Sequence, residues 1–348
     1  MSKPRLKEIQ FIKVISAFGI ILYHFSCHSN CLAFSNIIGN GPLGIYCVNM
    51  FFIASGVVLY YSYNKITSLK LYYYRRWKSI FVMFLMVYFF VYCMNVINTK
   101  QLFYGPQPWK IIFSLIGIDG YLWLYNVSTY YILGEWFLGA LLFVYIVYPL
   151  IAYILNKYNK GWIFLLVLIV LGYVVVVFLD NNYPCSRFIG NHQQHLISCL
   201  LTFYFGVLYI KFREKFQNVF TGIMTLALSV ICFVFPSFID PVVVVFINSL
   251  CIFIWISIVS KKLMNNKLIA NIISKLDKLV LPMYFLQHMI ILWILGSWNP
   301  INPVKAIVIL IIIYFIIIVF SQVLNIVTRS VSNSPTFNKI ENLIKLKT

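Results

Sequence analysis

The sequence predicts an all-α, polytopic integral membrane protein with about ten transmembrane helices and both termini cytoplasmic. Three observations predict it. Hydrophobic residues fill 62% of the 348 positions and charged residues only 10%, which is more apolar surface than one soluble core can bury. Apolar runs of about 20 residues, the length that crosses a bilayer core, recur along the whole chain. Of 27 Lys and Arg, 23 fall in alternate connections between those runs, the asymmetry that orients a series of spans.

Taken in order, the runs lie at 9–29, 42–63, 77–97, 130–154, 161–180, 195–211, 217–236, 239–260, 279–298 and 303–328. An even number of spans places both termini on one side. The majority cations occupy the N-terminal tail with Lys13, the 65–78 loop, 157–160, 211–215, 261–278 and the C-terminal tail, leaving Lys100, Lys110, Arg187 and Lys305 opposite. Between the third and fourth runs, 98–129 holds an apolar piece from Ile111 to Tyr125 broken by Gly117 and Asp119-Gly120. It is too short to span and is expected to be interfacial or re-entrant, a form tolerated only where protein or water covers the backbone. If it spanned, every later loop would change sides and the charge asymmetry would invert. The first run lacks a small-residue cleavage exit and leads straight into a second span, so it is expected to be retained. The whole chain, 1–348, is read as a single domain with a cytoplasmic tail at 329–348.

The net charge of +19 would suggest nucleic acid in a soluble protein. Here the cations lie between apolar runs, so the lipid bilayer is the expected partner and no nucleic acid is. The 25 Tyr and 31 Phe suit interfacial belts and lipid-facing packing. Of eight cysteines, Cys47, Cys93, Cys199, Cys232 and Cys251 lie within spans, where a thiol acts as a small apolar side chain. Cys27, Cys31 and Cys185 fall at the outer edge, where a disulfide is conceivable. His24, Cys27, His28 and Cys31 share one helical face, yet four ligands on one straight helix do not converge on one ion, and no metal is expected.

The chemistry centres on the first run. Lys13 and His24 are eleven residues apart, about three helical turns, so both project from one face about 16 Å apart along the axis. Two ionisable residues aligned in a span suggest a polar track, although Lys13 alone would be read as snorkelling to the headgroups. A neutral imidazole can take a proton from a hydroxyl at physiological pH, which makes His24 the candidate general base. In the second run, Ser55-Gly56 is a small pair among bulky residues, a place for close helix approach, and its expected neighbour is the first span. The loop ending Tyr74-Arg75-Arg76-Trp77-Lys78-Ser79 offers cations and an aromatic at a helix start, suited to anionic lipid or to cofactor phosphates.

Together these residues resemble the bacterial membrane-bound acyltransferase 3 family, the O-acetyltransferase group that modifies surface polysaccharides. Lys13 and His24 match its Arg/Lys-x10-His pattern, and Phe51-Phe52-Ile53-Ala54-Ser55-Gly56 resembles its FFxxSG signature. Arg75-Arg76-Trp77-Lys78 resembles its basic motif, Trp136-Phe137-Leu138 through Tyr148-Pro149 its WFL…YP span, and Pro282 through His288 its late Y-x-x-x-H segment. The motif's second arginine falls on Ser79, and Glu135 precedes Trp136 where longer family motifs place a glutamate after the tryptophan.

The resemblance implies a multi-pass enzyme of the bacterial plasma membrane that moves an acyl group, acetyl by default, from cytoplasmic acetyl-CoA or another acyl-CoA to a hydroxyl of a cell-surface glycan or lipid-linked oligosaccharide. Lys13 and Arg76, helped by Arg75 and Lys78, would bind CoA phosphates, and His24 would abstract the acceptor proton. Glu135 is the expected carboxylate partner of His24, with Asp119 its rival. Ser55, Trp136 and His288 take substrate-contacting or structural roles. Asp180, His192 and His195 border an outer loop and are expected to be solvated or to touch acceptor. No soluble domain is expected after residue 328, so any second transfer step would need another protein. The alternative is a polysaccharide transporter or polymerase of the inner membrane, and a lipid-interacting scaffold would leave Lys13 and His24 unexplained.

Overall fold

The computed structural model describes residues 4–103, 105–130, 133, 136–182, 193–234 and 241–346, with the backbone alone at 233, 241 and 242. Among the described residues the chain is helical. The first helices are α1 (Lys7–His28), α2 (Leu43–Tyr63), α3 (Leu69–Thr99), α4 (Trp136–Lys157), α5 (Gly161–Asn182) and α6 (Leu196–Lys211). They are followed by α7 (Val219–Val234), α8 (Pro241–Leu263), α9 (Lys267–Asp277), α10 (Val280–Ser297), α11 (Pro303–Ser332) and α12 (Pro335–Leu346).

Ten of these coincide with the ten expected spans. Eight are long and apolar enough to cross a membrane, while α6 and α7 are apolar but only 16 residues each. The 98–129 stretch breaks into Pro108–Lys110, Ile111–Leu115 and Asp119–Trp123, none long enough to span. Two helices fall outside the expected spans: α9, capped at its start by the Asn266 side chain, and α12 near the C-terminus. The tail expected from residue 329 begins inside α11, which continues to Ser332.

The chain forms two compact units, one of residues 1–62 and 202–322, the other of 63–201 and 323–348. In the first, α1 packs on α8, α9 and α10, and Ile9, Ile12, Met50, Ile53, Ala54, Val57, Tyr209 and Phe253 form a buried apolar cluster. The backbones of α2 and α6 approach closely. A Cβ on Gly56 would stand 2.0 Å from the Phe203 carbonyl oxygen, and one on Gly206 would stand 2.0 Å from that of Ile53. Neither contact leaves room for a side chain. Ser55-Gly56 was expected to seat against the first span, and the structure places the Gly56 approach on α6 instead. The reason is reciprocity: two helices come this close only where both present a glycine, and α6 supplies Gly206.

In the second unit, Ser68 caps α3 by accepting from the Leu71 N–H at 3.2 Å. Pro149 lies inside α4 and cannot donate to the carbonyl one turn back, that of Tyr145. A freed carbonyl in a span needs another donor. The Tyr72 hydroxyl donates to Tyr145 O and the Tyr73 hydroxyl to Ile146 O, each at 3.0 Å. The Tyr72 hydroxyl thus supplies the donor that Pro149 lacks, and Tyr73 adds a second bond to the next carbonyl of α4. The Tyr148 hydroxyl donates to Tyr63 O at 3.0 Å, tying α4 to the segment that leads into α3.

Candidate active site

The first unit gathers three histidines. His24 lies one turn before the end of α1 and His28 closes that helix, so the pair shares one face. His288 comes from α10, which packs on α1. The His24 and His288 rings stack with centroids 5.0 Å apart and planes 23° from parallel, and both residues are half-buried. His288 Nε2 and His28 Nε2 are 3.2 Å apart, a hydrogen bond in which one nitrogen carries the proton. Asn299, just past α10, holds the helix ends in register: its Nδ2 donates to the His28 carbonyl at 2.9 Å, and its Oδ1 accepts from the Asn30 N–H at 2.7 Å. His24 is therefore positioned from two sides, by its own helix and by α10.

Lys13 lies on the same helix in a different setting. Its Nζ is 2.5 Å from Asp277 Oδ1, while Arg5 Nη1 and Gln10 Nε2 each donate to Asp277 Oδ2 at 3.1 Å. The Asp277 side chain is 2% exposed and that of Lys13 27%. Two cations against one carboxylate leave this cluster with a formal surplus of one positive charge. A little earlier on α1, buried Glu8 accepts from Arg213 and, at 3.3 Å, from Gln217. The same unit contains a cavity of about 820 Å³ lined by the cations Lys211, Arg213, Lys215 and Lys261 and one carboxylate, Glu214.

The second unit holds the basic motif at the start of α3. Arg75 donates through Nε (3.2 Å) and Nη2 (2.9 Å) to Glu341 Oε1 on α12, and Lys78 Nζ stands 3.7 Å from Oε2. Lys345 joins Oε1 at 3.4 Å. Tyr74 donates to the Phe337 carbonyl at 2.9 Å, which fixes α12 over the motif. Burial alone would raise the Glu341 pKa, but Arg75 and Lys345 outweigh it and hold the carboxyl below its ordinary value. Arg76 points elsewhere: it covers the Tyr63 ring at 4.9 Å and donates to that hydroxyl at 3.2 Å, and its Nε is buried without a hydrogen-bond partner.

Of the remaining expected site residues, Ser55 is half-buried on α2 and Trp136 is the first residue of α4. Glu135, His192, Cys185 and Arg187 lie outside the described residues. Asp119 is fully buried, with Oδ1 accepting from the Gly120 N–H at 2.8 Å and the buried Ser114 side chain beside the carboxyl. Burial is the main cause that pushes its pKa up to about 7. His195, expected to border the outer loop and be solvated or touch acceptor, is half-buried directly before α6, where its Nδ1 accepts from Ile197 N–H at 3.3 Å.

Sequence reasoning missed Asp277, Glu341 and the approach of His28 to His288. Only the first left a signal, an acid among the cations of 261–278.

An acyltransferase domain family, the acyltransferase 3 family, matches residues 6–326. No curated protein and no solved structure matches the chain. The chain belongs to the acyltransferase 3 family and is a multi-pass membrane acyltransferase; this assignment selects the enzyme reading over a transporter or polymerase.

Proposed function

We propose that the enzyme moves an acyl group, acetyl by default, from acyl-CoA to a hydroxyl of a cell-surface or lipid-linked glycan in the bacterial plasma membrane, with His24 as general base. The observation that carries the reading is the ordered, half-buried His24 ring, stacked on His288 in the last turn of the helix that also carries Lys13.

The chemistry needs a base within about 3 Å of the acceptor hydroxyl, directly or through one water. His24 takes the hydroxyl proton as the oxygen attacks the thioester carbonyl. The new C–O bond forms, the C–S bond breaks, and the proton passes from the imidazolium to the departing CoA thiolate, which returns the base to its neutral form. His288 serves by orienting the His24 ring, a positioning role.

The donor's phosphates need cations. Lys13, Arg75, Arg76 and Lys78 are assigned to them, with the donor entering from the side that holds the chain termini. Two features support this assignment: the Lys13 cluster keeps a surplus positive charge, and Arg76 keeps a buried donor to offer. The four-cation cavity beside Lys261 adds a further place in the first unit where a polyanion would be neutralised.

The test uses membranes carrying the full chain, radiolabelled acetyl-CoA and glycan extracted from the producing cells. Base-labile label should appear in the glycan with the wild-type protein. With His24→Ala the rate should fall about 10²- to 10⁴-fold, the range for loss of a general base, while the amount of inserted protein is unchanged. Equal labelling by the variant removes His24 from the mechanism.

A further inference from the structure

We propose that His24, His28 and His288 form a binding site for a zinc-class divalent cation, and that the bound cation switches the enzyme off by occupying the base. The binding half stands on geometry alone, and the switching half rests on the reading of His24 as base.

Each of the three residues offers one ring nitrogen, and these nitrogens all lie within 4.8 Å of one another. Zinc bonds imidazole nitrogen at about 2.0–2.1 Å in tetrahedral geometry, which sets neighbouring ligand nitrogens about 3.3 Å apart. The His28 and His288 Nε2 atoms already stand 3.2 Å apart. One edge of the tetrahedron therefore exists, and side-chain rotation of His24 closes the others. His24 and His28 are spaced i, i+4 on α1, the spacing that lets one helix supply two metal ligands. The third ligand comes from a second helix, which removes the objection that ligands on one straight helix cannot converge.

The support around the trio is rigid in the way a metal site needs. The Asn299 side chain bonds both the His28 carbonyl and the Asn30 N–H, so the ends of α1 and α10 are held together independently of any metal. Three imidazoles with no carboxylate in the cluster favour zinc, copper or nickel over calcium or magnesium, which take oxygen ligands. A His₃ set leaves the fourth position open. The cation would take the lone pair that His24 needs to accept a hydroxyl proton, and no covalent change is required.

The experiment uses the purified full chain in detergent, stripped with chelator and titrated with Zn²⁺ against a chromophoric chelator. One equivalent should bind the wild type at micromolar concentration or tighter. His28→Ala and His288→Ala should each weaken binding at least about tenfold. Co²⁺ loaded into the wild type supplies a readout that needs no variant: an imidazole-only spectrum is expected, whereas a thiolate-to-cobalt charge-transfer band would place the metal on cysteine, for which the exposed Cys27 is the near candidate. Absence of stoichiometric binding, unchanged binding in His288→Ala, or the thiolate band overturns the site.

The switching half is read as the ratio of transfer rates with and without one equivalent of Zn²⁺, each protein against its own metal-free rate. The ratio should fall at least about tenfold in the wild type and stay near one in His28→Ala. Stoichiometric zinc with undiminished transfer overturns the switch and leaves the acyl-transfer reading intact. Zinc binding with no transfer at any metal level overturns that reading, and the switch with it, while the binding site stands.

Discussion

The two cation clusters expected to hold donor phosphates are both met by carboxylates, and they differ in depth. In the first unit, Lys13, Arg5 and Gln10 converge on Asp277, whose side chain is 2% exposed. In the second, Arg75, Lys78 and Lys345 converge on Glu341, which is 19% exposed. The number of contacts is similar, but the energetics are not. A carboxylate taken out of water is costly to leave without its cations, and its cations lose position when it is removed. A pair near water is screened and contributes little. Asp277 thus anchors the loop-side half of α1, while Glu341 tethers α12 loosely over the basic motif.

The largest expected effect breaks the buried cluster. Asp277→Ala leaves Lys13 without its carboxylate, and because Lys13 is only partly exposed and Arg5 well exposed, the loss of stability should be about 3 kcal/mol, at the low end for a broken buried pair. Thermal unfolding in detergent measures it. A loss below about 1 kcal/mol would show that the cluster behaves as a surface pair after all.

Asp119 sharpens the comparison as a buried carboxylate that, among the described residues, no cation pairs with. Its pKa is raised from 3.8 to about 7, chiefly by burial. The folded state therefore holds the proton more tightly than the unfolded state, and stability falls as pH rises between those values. Asp119→Asn keeps the acceptor for Gly120 N–H and removes the titration. The variant should melt higher than wild type at pH 8, with the difference shrinking toward pH 5. A difference that does not change with pH contradicts the account of Asp119.

The smallest effect belongs to the shallower cluster around Glu341. Glu341→Gln should cost less than about 1 kcal/mol. The Glu341 pKa is lowered, so the pair contributes above the ordinary carboxyl value of 4.5 and is lost as pH falls through the folded value. The difference between variant and wild type should accordingly narrow in acid. Weaker salt dependence in the variant would confirm a screened pair.

The fold was legible where one physical requirement acts locally. A bilayer demands about 20 apolar residues and intra-segment hydrogen bonds, so ten apolar helices could be read from the chain, eight of them long enough to cross, as could the failure of 98–129 to span. What was not legible depends on two distant positions at once. Gly56 signals a close approach, yet only the partner Gly206 says where. Lys13 looks like a free cation until Asp277 is placed against it. His24 and His28 share a face at sight, but His288, on another helix 260 residues from His28, is what makes a cluster of them. The repair of the Pro149 break by Tyr72 is of the same kind, a local signal whose answer lies on another helix.

The measurement that bears most directly on the central claim is the single-turnover rate of acyl transfer at saturating acyl-CoA and glycan, compared among wild type, His24→Gln and Lys13→Ala. A base acts in the chemical step and a phosphate ligand in donor binding. His24→Gln should lose about 10²-fold or more in that rate with donor affinity retained. Lys13→Ala should weaken donor affinity and keep most of the saturated rate. A His24→Gln enzyme that turns over at the wild-type rate would contradict the assignment of the base.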